Sequence, residues 1–130
     1  MANNRDTNII KFIDRNCDEI LAGVARCENP FEAVLNSHFF RDGMAMKLFK
    51  IADLAQSLTD DFTKEHGNLP WREAKDFKAV CEHSYLTLDV KKMWATVTDV
   101  IPELKQFCRD ILALAERQAR VPPMAGPGTG

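Results

Sequence analysis

The scarcity of chain breakers constrains this sequence more than any other feature. Residues 1–120 hold three glycines (Gly23, Gly43, Gly67) and three prolines (Pro30, Pro70, Pro102), and the other half of each type lies in the last ten residues. A stretch so poor in turn residues suits long helices and argues against a many-stranded β fold. The apolar spacing agrees. Ile9, Ile10, Ile13, Cys17, Ile20, Leu21 and Val24 recur at steps of three and four, which predicts a helix from about Asp6 to Arg26, capped by Asp6 or Thr7. Asn29-Pro30 reads as a cap and first turn of a short helix through Phe31, Val34 and Leu35. A second main helix is predicted from near Phe39 to about His66, stopped by Gly67. Leu69-Pro70-Trp71 then opens a third, from about Trp71 to Ser84, with Ala74, Phe77, Val80 and Cys81 inward.

Residues 84–88 are expected to connect two helices, because no second strand candidate exists to pair with them. Asp89 is expected to cap the next helix, whose apolar face is Val90, Met93, Trp94 and Val97. Pro102 should kink or break it near Asp99, since its ring clashes with the carbonyl four residues back. A last helix carries Leu104, Phe107, Cys108, Ile111, Leu112 and Ala115. The expectation is an all-α bundle of four to five main helices over residues 1–120, followed by a disordered Pro/Gly-rich tail, 121–130.

Charge and composition bound the function. The 130 residues are 45% apolar, enough for one domain with a real core. Seventeen basic against nineteen acidic residues leave a net charge of −2, which excludes a globally cationic nucleic-acid binder but not a local basic groove. No apolar run exceeds about six residues, and Met-Ala-Asn-Asn-Arg-Asp at the start lacks a signal-peptide core, so a cytoplasmic protein is expected. Cysteines 17, 27, 81 and 108 form no C-x-x-C pair and read as buried reduced thiols.

Phosphate loops, dinucleotide fingerprints, H-E-x-x-H and nucleophile elbows are all absent. Histidines 38, 66 and 83 lack metal-site spacing, so neither a metal nor a cofactor is expected. His38 and His66 read as structural or solvated. The chemically dense segment runs from Pro70 to Asp89 and holds the chain's one tyrosine, Tyr85, with His83 two residues before it and Lys78 five before that. Ordinary readings exist for each. Lys78 suits a surface pair with Glu82. His83 suits a helix C-terminus. Tyr85 suits a half-buried loop anchor.

The segment resembles the signature of the HepT-like proteins of the HEPN superfamily. The family's Pro-Trp-Arg-Glu stands at Pro70, Trp71, Arg72 and Glu73, its Arg-x4-His-x-Tyr at Lys78, His83 and Tyr85, and its helix-starting Asp at Asp89. The likeness extends through Trp94 and Ile101-Pro102-Glu103-Leu104, and back to Ile51-Ala52-Asp53-Leu54-Ala55, where Ile-Gly-Glu-Ala is usual; it covers roughly residues 5 to 118. The resemblance implies a helical bundle that dimerises, with two such motifs facing each other across a cleft. It implies a metal-independent endoribonuclease, a toxin acting on RNA such as tRNA, paired with an MNT-type minimal nucleotidyltransferase that silences it by adding AMP to Tyr85. His83 is then the acid–base group, Lys78 the phosphate cation, and Arg72 and Lys75 extend the basic patch toward RNA. The sequence departs from the family at Lys78, where arginine is usual, and at Ala79, where asparagine is common. Lysine keeps the charge but loses the bidentate fork. A catalytically weakened RNA- or nucleotide-binding module, still pairing with a nucleotidyltransferase, is the alternative.

Overall fold

A computed structural model describes residues 4–67, 69–87 and 89–120. The expected tail, 121–130, lies outside the described residues. Among those described there is no strand, and the all-α expectation holds.

Helix α1 (Asn4–Ala25) buries Ile9, Ile10, Ile13, Cys17 and Ile20, the stripe its periodicity predicts. Helix α2 (Pro30–Asn36) begins on Pro30, although the Asn29 side chain makes no capping bond. Helix α3 (His38–Gln56) is capped by Ser37, whose Oγ accepts from the Phe40 N–H at 3.1 Å. Helix α1 packs against α3 and α8, while α3 also packs on α5 and α6. The pairing of Lys47 with Glu19, and of Thr59 with Asp6, makes α1 and α3 antiparallel.

The single helix expected from Phe39 to His66 is in fact two. The chain leaves α3 at residues 57–59 and restarts as α4 (Asp60–Glu65). Thr59 is extended, and its hydroxyl accepts from the Phe62 N–H. Asp6, in the first turn of α1, enforces this break. Its buried carboxylate accepts the Thr59 N–H at 3.0 Å and the Thr59 hydroxyl at 2.8 Å. Arg5 adds a bond to the Ser57 carbonyl at 2.8 Å. Gly67, at φ +88°, ends the segment in the left-handed region that glycine enters without penalty.

The expected third helix is likewise divided, into α5 (Leu69–Lys75) and α6 (Phe77–Thr87). At the junction the Asp76 N–H is shared between the carbonyls of Arg72 and Glu73. A second correction matters more for function: residues 84–87 are helical, not a connection. Ser84 is buried and its hydroxyl donates to the Val80 carbonyl one turn back, at 3.1 Å. The strand-like Tyr-Leu-Thr sequence yields to tertiary packing, as propensity commonly does.

The N-cap position of α7 (Lys91–Ala95) is Val90, not the expected Asp89; Asp89 lies one residue further out, and its carboxylate accepts the Lys91 N–H at 3.0 Å. The chain then passes through a π-helical turn (Thr96–Val100) directly into α8 (Ile101–Arg120), without a break. The Ile101 N–H reaches the Thr96 carbonyl five residues back. The wider turn lies immediately before Pro102, the residue that cannot donate; such bulges are one way a helix carries an interruption. The core gathers Ile10, Ile13, Leu48, Ile51, Ile101 and Leu104 at its centre, with Trp71 stacked edge-on against Phe107 at 5.4 Å. No helix among the described residues is long and apolar enough to cross a membrane.

Candidate active site

Helix α6 carries the motif, and its geometry sorts the motif's residues onto two faces. Lys78, Cys81 and Tyr85 follow a spacing of three and four and face α3. Lys78 pairs with Asp53, the Cys81 thiol points at the Ala45 carbonyl at 3.7 Å, and the Tyr85 hydroxyl donates to Asp42. All three partners lie on α3. Lys78 therefore takes its carboxylate from a neighbouring helix, not from Glu82 one turn along its own.

His83 is exposed on the other side of α6. Five residues of helix rotate a side chain about 140° beyond one full turn, so Lys78 and His83 diverge within one chain. His83 shares its face with Ala79 and with Leu86, which is 84% exposed. An exposed leucine beside a histidine is an uncovered apolar edge.

Tyr85 lies in the last turn of α6, not on a loop, and is 54% exposed. Its hydrogen bond to the Asp42 carboxylate raises the phenol above the usual tyrosine range, because ionisation would place two negative charges together. Beneath it lies a cavity of about 60 Å3, walled in part by Arg41, Ser84 and Met93. Arg41 is held there by the Val34 and Leu35 carbonyls, each at 3.1 Å, and by His38 Nδ1 at 2.9 Å. A guanidinium only donates, so His38 accepts at Nδ1 and carries its proton on Nε2.

Arg72 and Lys75 are both exposed on α5, beside the inward-facing Trp71 and Ala74. His66 stacks on Phe62 at 4.4 Å, a structural role. All four cysteines are free; burial pushes the Cys17 thiol up to about 12 and the Cys81 thiol to about 11, and moves Cys108 upward likewise. Such thiols stay protonated and unreactive near neutrality. Among the described residues no cluster of three His, Cys, Asp or Glu side chains is placed to hold a metal ion.

Sequence reasoning missed Asp42 and Asp53. Both carboxylates were visible on the polar side of a helix, but nothing local says which cation or hydroxyl a second helix will bring to them.

The family match includes this region. The profile of the HepT-like family, described as ribonuclease HepT-like, matches residues 13–111. A probable ribonuclease HepT from Thermococcus cleftensis is 34% identical over 55 residues, 42% of this chain and 50% of that protein. A putative RNase from Caldanaerobacter subterraneus subsp. tengcongensis is 27% identical over 62 residues, covering 48% of this chain and 55% of its own length. One from Methanocaldococcus jannaschii is 22% identical over 76 residues, 58% and 70% of the two chains. The match spans about half the length of the first two of these curated relatives. No solved structure matches the chain significantly. With the profile spanning most of the helical bundle and the motif helix at its surface, the chain belongs to the HepT-like family of the HEPN superfamily.

Proposed function

We propose that this protein is a metal-independent endoribonuclease of the HepT-like type, the toxin of a pair whose other member is an MNT-type nucleotidyltransferase. The observation that carries the reading is the placement of an exposed His83 on α6 in a chain whose relatives are named as ribonucleases. Histidine titrates near neutrality, so it can take the proton of a 2′-hydroxyl or return one to the departing 5′-oxygen. The phosphorane formed between those steps carries extra negative charge and needs a fixed cation, the role given to Lys78.

The two groups point apart within one protomer, so the site is completed by a second copy across the face of Ala79, His83 and Leu86. Tyr85 is the site of AMP addition. It shares its stripe with Lys78, two turns away, so an added phosphate and adenosine would lie over the surface that Lys78 offers to RNA. Negative charge and bulk there both oppose substrate binding.

A second reading has its own observation. Lys78 is already paired with Asp53, and an ammonium in an ion pair is a weaker phosphate clamp than the arginine usual in the family. A binding module with little catalysis follows from that. Incubating bulk tRNA with excess chelator, wild type beside His83→Ala, separates the two. Cleavage by wild type and none by the variant is expected. Equal activity in both would place the chemistry elsewhere. No cleavage by either, with tRNA still retarded in a gel, would establish the binding module.

A further inference from the structure

We propose that the groove between α1 and α3 is a track for single-stranded RNA that delivers a phosphate to Lys78. The groove encloses about 530 Å3 and is open along the surface. Its walls carry Arg15 and Glu19 from α1, and Lys47, Lys50 and Asp53 from α3. Asp53 belongs to the groove wall and is also the carboxylate that holds Lys78, so the groove ends at the candidate phosphate cation. This inference rests on the ribonuclease reading for Lys78 but adds a site on two helices outside the motif.

The charges favour a polyanion. Lys47 pairs with Glu19 at 3.1 Å, and Lys78 pairs with Asp53. Those acids are thereby neutralised. Arg15 and Lys50 remain, and neither forms an ion pair among the described residues. A chain of net charge −2 thus concentrates a local positive surplus along one groove.

The aromatic content points to nucleic acid rather than to a small anion. Phe12 is 47% exposed at the groove and the Arg15 guanidinium stands 5.5 Å from its ring centre. The guanidinium lies over one face of the ring, so an unpaired base can stack on the guanidinium plane or on the ring's other face, whatever the base's identity. Duplex RNA hides its base faces, so single strands or loops are the class that fits. Arg72 and Lys75 lie on α5 and are not among the residues that line this groove.

The test is fluorescence anisotropy with a labelled 2′-O-methylated RNA of about 15 nucleotides, which lacks the attacking hydroxyl, titrated over a range of salt. Wild type should bind with an affinity that falls as salt rises. Arg15→Glu with Lys50→Glu should lower affinity at least about tenfold and reduce the log–log salt slope by about 1.4, two single-strand phosphate contacts at roughly 0.7 each. Phe12→Ala should weaken binding about five- to tenfold and leave the slope unchanged, since stacking releases no counterions. Lys64→Glu with Arg117→Glu, two exposed cations on α4 and α8 outside the groove, should change neither. Thermal melts identify any variant that fails to fold, and Arg15→Gln with Lys50→Gln then supplies the same test without charge reversal. A wild-type slope in the Arg15/Lys50 variants, or an equal loss in the Lys64/Arg117 control, overturns the track while leaving the ribonuclease reading intact. A wild type that binds no RNA at any salt sinks both.

Discussion

Tyr85 is the chain's one tyrosine, so its ionisation can be followed alone by ultraviolet absorbance. The phenol donates to Asp42, and this bond raises the folded-state pKa above the usual value near 10. A raised pKa contributes stability that is present below the unfolded value and is lost as pH climbs through the folded one. We expect a wild-type titration midpoint above 10 and a return toward 10 in Asp42→Ala. A wild-type midpoint at or below 10 would show that the bond does not form in solution. Lys78 invites a gain-of-function test. Lys78→Arg restores the planar fork, and one further charge-assisted bond to a phosphate oxygen is worth about 1.4 kcal/mol, or roughly tenfold in cleavage rate. An unchanged rate would mean that the cation at this position does not touch the scissile phosphate. The legible part of the site was chemical type: the spacing of Lys78, His83 and Tyr85 was plain. Their partition onto opposite faces of one helix needed residues 84–87 to be helical, and Ser84 buried against Val80 settled that.

Among the elements, the seam of α1 and α8 separates decoration from substance. Arg109 reaches Asp14 at 3.4 Å and Asp18 at 3.0 Å, and Lys105 reaches Asp18 at 2.6 Å. Lys105 is the main cause that holds the Asp18 carboxyl below its usual range, so this contribution is present at neutral pH and fades as acid titrates Asp18. These side chains are largely solvated, and screening limits their worth. Beneath them Leu104 is completely buried. Leu104→Ala should cost about 2–5 kcal/mol in a urea melt, whereas Arg109→Ala should shift the melt only slightly and do so mainly at low salt. Comparable losses would mean that the seam is held by its charges. The break between α3 and α4 was partly legible. Thr59 followed by Asp60 and Asp61 is a helix-start signature, masked by the apolar spacing that continues through Leu58 and Phe62. What makes the break obligatory is Asp6, more than fifty residues away, whose bonds no local pattern announces.

For the whole molecule the open face of α6 is the decisive surface. Ala79, His83 and the 84%-exposed Leu86 form a stripe that nothing among the described residues covers at Leu86. Burying such a leucine against a second copy is favourable by about 1.5–3 kcal/mol. Light scattering at micromolar concentration should return twice the 14.7 kDa chain mass. Leu86→Glu should shift the protein toward monomer and reduce tRNA cleavage, with little change in thermal stability because the side chain is solvated in the isolated chain. A monomeric wild type that cleaves RNA would refute a site shared between protomers.

The sequence by itself determined the helical class, the core stripes of α1, α3 and α8, the helix stop at Gly67, and the family. Each of these rests on short-range information: hydrophobic period, breaker placement, or a contiguous motif. Tertiary structure alone decided which carboxylate meets Lys78, which one holds Tyr85, and where the chain must break between α3 and α4. Those contacts join residues 25 to 53 positions apart, or more than 40 in the case of Asp42 and Tyr85. An exposed aspartate on a helix has the same local appearance whatever it pairs with. Only the antiparallel packing of α3 against α1 and α6 gives each one its partner.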